Sequence, residues 1–266
     1  MNQANILIVG AGRMAEAIIS GLVKKQGTTG KITVTNRSDI EKLERLQHTY
    51  KIQTSDDWES EIEHHEVILL ASPPQTHEEQ LNILKNKISN QLIITVAAGI
   101  DPTYMEKRLP TGTPVCWIMP NTAAQIGKSI STYVCGQYVT KDHRLIIETI
   151  LSAIGESEEL TEQQVHDLTA ITGSAPAFVY SFVQALEHAA IENGVTKEQA
   201  RTLVSKMVSG SAAMLEAGYE PSDLISQVAS PGGSTAEGLK VFEKEGFQKI
   251  VEKAVQATNE HARGNG

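Results

Sequence analysis

Two short stretches of this chain combine residue types that suit the holding of negative charge at a helix start. The first is "VGAGRMAEA", residues 9–17, which contains Gly10-x-Gly12-x-x-Ala15 between an apolar run and a helical pattern. In such a stretch the first glycine makes a tight turn and the second lets backbone N–H groups approach a pyrophosphate. The small third residue packs helix on strand, and the helix N-terminus faces the phosphates. A dinucleotide site is the reading this placement favours; a merely tight strand-to-helix turn is the alternative. The second stretch is "SPGGSTAEG", residues 230–238, where a proline and two glycines interrupt a half of the chain that otherwise reads helical. Gly232 and Gly233 expose N–H groups and Ser234 and Thr235 add hydroxyls, so the spot suits an anion. Ser234 with Glu237 three residues later also reads as a capping box. The two readings are compatible, because a cap orders the same N–H groups.

The second strand of the candidate dinucleotide site carries "TVTNRSD", residues 33–39. An NAD site wants an acid about twenty residues after the glycines, to hold the ribose 2′-OH. Thr35, Asn36, Arg37 and Ser38 occupy that place here, and the first acid, Asp39, comes after the turn. Arg37 suits a 2′-phosphate, with Asn36 or Ser38 adding hydrogen bonds. NADPH is therefore expected ahead of NADH, with both left open. The alternative makes Arg37 a solvated loop charge and Asp39 a helix cap. A later loop, "LLASPPQ" at 69–75, ends a strand on the side where this kind of fold holds the cofactor's sugars and nicotinamide, although Pro73-Pro74 would also start a helix well.

These residues need a scaffold, and hydropathy periodicity supplies one. Apolar β-branched runs at 6–9, 32–35, 67–70 and 92–96 alternate with helical stretches, and further short strands are expected at 114–118, 131–134 and 156–159. The pattern predicts an α/β domain, a doubly wound, Rossmann-type parallel sheet covered on both faces. After residue 160 strand signals stop, and helices are expected at 162–172, 176–193, 197–217 and 235–264. The chain therefore divides into residues 1–160, a dinucleotide-binding domain, and 161–266, an all-helical domain. The helix at 177–194, "AFVYSFVQALEHAAIENG", is apolar around most of its circumference. It is either a central core helix or a helix that meets a second subunit. The alanine-rich stretch at 209–218 favours the second subunit.

Bulk properties narrow the chemistry. Of 266 residues 40% are hydrophobic and 21% charged, enough apolar mass for a real core. A net charge of −9 argues against nucleic acid as the main partner. The only cysteines, Cys116 and Cys135, lack metal-site spacing and are expected to be reduced and buried. The N-terminus does not read as a signal peptide, and the longest apolar run, 92–100, is too short to cross a bilayer; a soluble, cytoplasmic protein is expected. His64-His65 sits on a charged segment and is expected to be solvated. The helical half offers no lysine or histidine in a pocket-like motif. Hydride transfer to a carbonyl needs an acid of suitable pKa, whereas a protonated imine is already an electrophile and leaves a neutral amine. Positioning, one hydroxyl hydrogen bond and a seat for the substrate's charge then suffice.

Several motifs together resemble the pyrroline-5-carboxylate reductase family over nearly the whole chain: "VGAGRMAEAIISG" at 9–21, "TVAAGI" at 95–100, "MPNTAAQIG" at 119–127, "LTAITGSAPAFVY" at 168–180 and "VASPGGSTAEGLKVFE" at 228–243. The resemblance implies NAD(P)H-dependent reduction of the cyclic imine 1-pyrroline-5-carboxylate to L-proline; the scattered histidines and the cysteine spacing already argue for no metal. It implies an N-terminal Rossmann domain and a C-terminal helical dimerisation domain, whose helices interleave in a dimer that larger homo-oligomers can repeat. Cofactor contacts would come from Gly10, Ala11, Gly12, Arg13, Met14, Asn36, Arg37, Ser38, Ala71, Ser72, Pro73, Ala97 and Asn121. The substrate would meet Ser174, Gln227, Gly232, Gly233, Ser234 and Thr235, its carboxylate on the glycine loop and the Thr235 hydroxyl near the imine nitrogen. The cofactor domain of one subunit would work with helical residues of its partner. The chain departs from the usual pattern at Ser72-Pro73, where the family reads Val-Lys, at Ala123 for a proline, at Ala175 for a glycine and at Gln227 for an asparagine. A paralogue of weak, altered or absent activity, or a related NADP-dependent β-hydroxy-acid dehydrogenase, remains the alternative.

Overall fold

In the computed structural model, which describes residues 4–25, 27, 29–37 and 39–262, the first apolar run is β1 (Ile6–Val9), followed by α1 (Arg13–Lys24), β2 (Ile32–Thr35) and α2 (Ile40–Tyr50). Next come β3 (Gln53–Ser55), α3 (Trp58–Glu61), β4 (Val67–Leu70), α4 (His77–Lys87), β5 (Leu92–Thr95) and α5 (Pro102–Glu106). The sheet is completed by β6 (Val115–Met119), β7 (Ser129–Cys135) and β8 (Gly155–Glu159), with α6 (Lys141–Ile154) between the last two. The strand order is β3-β2-β1-β4-β5-β6-β7-β8. All pairings are parallel except β6–β7.

That antiparallel pair departs from the all-parallel expectation. The link from Met119 to Ser129 holds only a 3₁₀ turn (Thr122–Ile126) and Gly127 at φ +70°, too short for the crossover helix that a parallel neighbour requires. Edge strand β3 is also absent from the sequence reading. Its Gln-Thr-Ser carries no apolar run, because none of its residues is buried.

Successive residues of the central strands feed opposite faces of the sheet. Ile6, Ile8, Leu69, Ile94, Cys116 and Ile118 pack with α1 and α6 on one side; Leu7, Ile68, Leu70, Ile93 and Trp117 pack with Leu81, Leu84 and Met105 on the other. Glu16 on α1 holds Arg45 on α2 through two hydrogen bonds, 2.7 and 2.8 Å, and that guanidinium lowers the Glu16 carboxyl below its ordinary range.

The remaining chain is helical: α7 (Glu162–Thr169), a π-type turn (Ala170–Ser174), α8 (Ala175–Glu192), α9 (Lys197–Glu216), α10 (Pro221–Val228), α11 (Ser234–Lys244) and α12 (Phe247–Ala262). The helix expected over 235–264 is two helices, broken at Gly246, which sits at φ +69°. Compact packing divides the chain into 1–174 with 259–266, and 175–258. The first unit thus includes α7, whose Val165 is wholly buried in the sheet's second core. In the second unit α8 packs with α9, yet only Ala200 and Val204 are buried among its residues. No residue of α8 is buried, and Val179, Tyr180 and Phe182 are exposed, so α8 is not a core helix of a single chain. No helix among the described residues is long and apolar enough to cross a membrane.

Candidate active site

The first βα turn is built by contacts that explain its glycines separately. Gly10 has φ +109°, and a Cβ there would stand 2.8 Å from Ala71 O, so the chain itself demands glycine. Its N–H donates to Thr35 O at 2.9 Å, and Ala71 N–H donates to Val9 O at 2.8 Å, which ties the turn to its two neighbouring strands. Gly12 is different: a Cβ there would meet nothing nearer than Ala71 O at 3.9 Å. Its space is left open by the protein, at the N-cap of α1, where no side chain caps the first turn. Open space beside unpaired helix N–H groups is what a pyrophosphate requires, and the residues present fit a dinucleotide.

A cavity of about 410 Å³ adjoins this turn. Gly10, Asn36, Arg37 and Ser72, four of the residues expected to hold cofactor, line it together. Asp56, Asp57, Trp58, Glu59, Glu79 and Gln80 line it too, and no sequence motif pointed to them. Arg37 Nη1 lies 3.9 Å from Glu79 Oε1, with both side chains largely exposed. Glu59 is held by Lys87 at 2.8 Å, and Asp57 caps α3. Asp39 caps α2 by accepting from Lys42 N–H at 2.9 Å. Ser38 lies outside the described residues. Arg13 is exposed on the first turn of α1, Met14 packs against the sheet's first core, and Ala11 is buried.

The loops after β4 and β5 are pinned to one another from inside. Ser72 Oγ donates to Gln80 Oε1 at 2.8 Å, and Thr76 Oγ1 stands 2.8 Å from Pro73 O. His77 Nδ1 is 3.1 Å from the same Pro73 O, which can only accept, so Nδ1 carries the proton. Its Nε2, 2.8 Å from Thr95 Oγ1, is then the acceptor, and Thr95 Oγ1 in turn accepts from Ala97 N–H at 3.1 Å. Burial lowers the His77 pKa, which favours this neutral form. Ala97 O accepts from Trp117 Nε1 at 2.8 Å, so both polar groups of that residue are fixed. His65 makes a similar buried bond, Nε2 to Thr33 Oγ1 at 2.8 Å. His64 is exposed as expected, but His65 is only 2% exposed, because it follows the 3₁₀ turn Ile62–His64 in extended conformation and its ring reaches Thr33 on β2.

Asn121 is spent within the chain. Its Oδ1 accepts from Ala123 N–H at 3.0 Å, a bond that a proline at 123 would forbid, and its Nδ2 donates to Thr172 O at 3.1 Å. Pro176 has no N–H to return to the turn before it, and Asn121 supplies the missing donor. Ser174 ends that turn and is half-buried. Asp101, Glu162 and His166 also come together: His166 Nε2 meets Asp101 Oδ2 at 2.8 Å, Asp101 caps α5, and Glu162 Oε2 accepts from Thr103 N–H at 3.1 Å. These bonds fasten α7 to α5.

In the helical unit, Gly233 is the N-cap of α11, and no side chain caps the helix. The capping box expected at Ser234 and Glu237 is therefore not formed. Ser234 is already the first helical residue, and Glu237 pairs with Lys240 at 2.7 Å. Gly233 donates its N–H to Ser230 O at 2.9 Å, and a Cβ on it would come within 2.8 Å of Ser230 Oγ. Gly232 takes φ +74°. The loop thus turns back tightly and presents the first turn of α11, with exposed Ser234 and Thr235, to whatever lies in front of it. Gln227 is exposed on α10.

Residues 162–265 match the family model for pyrroline-5-carboxylate reductase dimerisation, and residues 5–99 match a model described as NADP oxidoreductase, coenzyme F420-dependent. The chain is 35% identical to pyrroline-5-carboxylate reductase 1 of Bacillus subtilis (strain 168) over 96% of its own length and 87% of that protein. It is 32% identical to pyrroline-5-carboxylate reductase 2 of the same organism, over 94% and 91% respectively. Among solved structures it is similar to a pyrroline-5-carboxylate reductase from Coxiella burnetii, with a TM-score of 0.88, 31% identity and 99% of each chain covered. A pyrroline carboxylate reductase from Plasmodium falciparum with NADP bound gives a TM-score of 0.88 at 26% identity, over 100% of this chain and 99% of that one.

Proposed function

The chain belongs to the pyrroline-5-carboxylate reductase family, and from that premise we propose that it reduces 1-pyrroline-5-carboxylate to L-proline with NADPH, NADH being a possible second donor. Kinship along 96% of the chain carries the reaction. The open space at Gly12 and the uncapped first turn at Gly233 support the two half-sites.

The nicotinamide cofactor, when bound, supplies the hydride. The rest of the work falls to this chain. Gly10, Ala11, Gly12, Arg13 and Met14 would hold the pyrophosphate, and Arg37 with Asn36 and Ser38 the 2′-phosphate. Ala71, Ser72, Pro73 and Ala97 would border the nicotinamide side, with Asn121 steadying the neighbouring loop. The substrate carboxylate would sit on the N–H groups of Ser234 and Thr235, where the helix dipole favours an anion, on a loop that Gly233 closes by donating its own N–H to Ser230 O. Gly232 gives the loop its turn, and Ser174 and Gln227 complete the substrate contacts. The Thr235 hydroxyl would hydrogen-bond the imine nitrogen and fix the ring's orientation. Because the imine takes its proton from water before reduction, no buried general acid is required, and the site's task is orientation and charge.

The reading includes a metal-free, cytoplasmic homo-oligomer built on dimers, with residues 1–160 serving the cofactor and 161–266 the substrate and subunit pairing. The exposed apolar side chains of α8 support the pairing. An assay of NADPH oxidation with 1-pyrroline-5-carboxylate, with proline identified as product, tests the activity. NADP reduction by a β-hydroxy acid, with no turnover of the pyrroline, would replace this reading with the related dehydrogenase. NADPH binding without either turnover would make the chain a non-catalytic paralogue.

A further inference from the structure

Cys116 and Cys135 stand directly opposite each other on the antiparallel pair β6–β7. The next pair along, Val115 and Gly136, makes the ladder bond, Gly136 N–H to Val115 O at 2.9 Å. The cysteines therefore occupy a non-hydrogen-bonded position, where Cα atoms approach to about 4.5 Å and side chains lie closest. A disulfide needs a Cα separation of about 4.4–6.8 Å, so the backbone is already placed for one. Both side chains belong to the same apolar cluster and so point to the same face of the sheet. Both are free thiols, and they are the chain's only cysteines.

The two thiols differ in a way that assigns them roles. Cys116 is wholly buried, and burial raises its pKa well above the ordinary value. Cys135 is half-buried, and the hydrogen bond from Cys116 lowers its pKa. Arg144 and Glu159 stand near Cys135 and pair with each other at 2.7 Å, so neither presents an unbalanced charge to it. One thiol is thus reachable and inclined to ionise; the other is sheltered and adjacent.

We propose that Cys116 and Cys135 form a two-thiol redox site that takes low-molecular-weight disulfides of the oxidised-glutathione type and closes to a cross-strand disulfide. Cys135 loses its proton, and its thiolate attacks one sulfur of the small disulfide. A Cys135–glutathione bond forms and one glutathione thiolate leaves. Cys116 then gives up its proton and attacks Cys135 Sγ, expelling the second glutathione. Two protein thiols are oxidised, one small disulfide is reduced, and the two protons end on the two glutathione thiols. The cross-link joins strands that are already paired, so the sheet need not rearrange. The two sulfurs are nineteen positions apart in sequence, and only the reversal at 120–128 brings them together.

Peptide mapping of the folded, full-length chain after incubation in a glutathione redox buffer tests the site. The expected product is a single internal Cys116–Cys135 disulfide, formed with loss of both free thiols together and reversed by dithiothreitol. In Cys116→Ser the second step is removed, so Cys135 should accumulate as a lasting mixed disulfide with glutathione. In Cys135→Ser, Cys116 should stay unmodified while the chain is folded. A wild-type product with glutathione held stably on Cys135 and Cys116 still free would overturn the proposal. So would thiols that stay reduced in the folded chain under a buffer that oxidises them once it is unfolded. The wild-type map decides the matter even if a serine variant fails to fold.

Discussion

His77 Nε2 lies 2.8 Å from Thr95 Oγ1, with both side chains wholly buried, and this bond closes a one-way chain from Ala97 N–H to Pro73 O. The two loops it joins are those expected to border the nicotinamide. Removing the imidazole in His77→Ala leaves Thr95 without an acceptor and deletes a donor to Pro73 O, a cost of about 2 kcal/mol for a buried polar loss. The thermal midpoint should fall and the Michaelis constant for the cofactor should rise, with partial recovery of both in His77→Gln. Loss of stability alone, with unaltered cofactor affinity, would reduce His77 to a core residue.

The same histidine sets a pH dependence. Its folded pKa is lowered by burial, so below about pH 6.5 the unfolded chain takes up a proton that the folded chain refuses. Stability is full above that pH and declines as the pH falls towards the folded pKa. His65 and His143, also lowered by burial, act in the same direction. The melting temperature of the wild type should drop more steeply between pH 7 and 5 than that of His77→Gln.

Arg37 and Glu79 face each other at 3.9 Å on the wall of one cavity. A 2′-phosphate bound there would compete with Glu79 for the guanidinium. Arg37→Ala should therefore raise the Michaelis constant for NADPH about tenfold, the scale of one charge-assisted hydrogen bond, and change that for NADH little. Glu79→Gln should shift the preference further towards NADPH. Equal effects on both cofactors would dismiss the phosphate contact.

How much of this was readable in the sequence depends on the range of the signal. Gly10, Gly12 and the buried runs of β1, β4 and β5 declare themselves, because glycine spacing and uninterrupted apolar strands are local patterns. Trp58, Glu79 and Gln80 reach the cavity from elements with no motif, and the chain folds them there through strand order alone. The facing cysteines depend on the one antiparallel pair, which no periodicity announces. At Ser234 a local rule misleads: the capping-box spacing is present, but Gly233 takes the N-cap, because the tight return to Ser230 O starts the helix one residue earlier than a Ser234 cap would require.

Gly10 and Gly12 should part company under mutation. Gly10→Ala places a Cβ against Ala71 O at a positive φ, which costs about 1–3 kcal/mol in strain before any clash relaxes. Its thermal midpoint should fall. Gly12→Ala meets only open space, so it should melt like the wild type and lose cofactor affinity by tenfold or more, measured by titration of NADPH fluorescence. Undiminished binding in Gly12→Ala would show that the space beside α1 is not the pyrophosphate seat.

Phe182 is 41% exposed and Tyr180 60% exposed on a helix with no buried residue. In a dimer these surfaces would be covered. A charge in such an interface costs several kcal/mol, so Phe182→Glu should shift the sedimenting species from dimer or larger to monomer and abolish turnover with it. A variant that remains fully assembled would place the subunit contact elsewhere.

Thr235 follows Ser234 in the uncapped first turn of α11, one residue beyond where the helix begins. Its backbone N–H and its hydroxyl therefore belong to different tasks: the N–H is one of the donors available to a carboxylate, and the hydroxyl is free to meet the ring nitrogen. Thr235→Ala keeps the first and deletes the second. It should bind substrate with a nearly unchanged Michaelis constant, lose about 10²-fold in kcat, the scale of one precisely placed hydrogen-bond partner, and melt within a degree or so of the wild type because the residue is exposed. Thr235→Ser, which restores the hydroxyl, should recover most of the rate. Wild-type turnover in the alanine variant would leave orientation of the imine to the backbone alone, and failure of serine to rescue would point to the methyl group's packing instead of the hydroxyl.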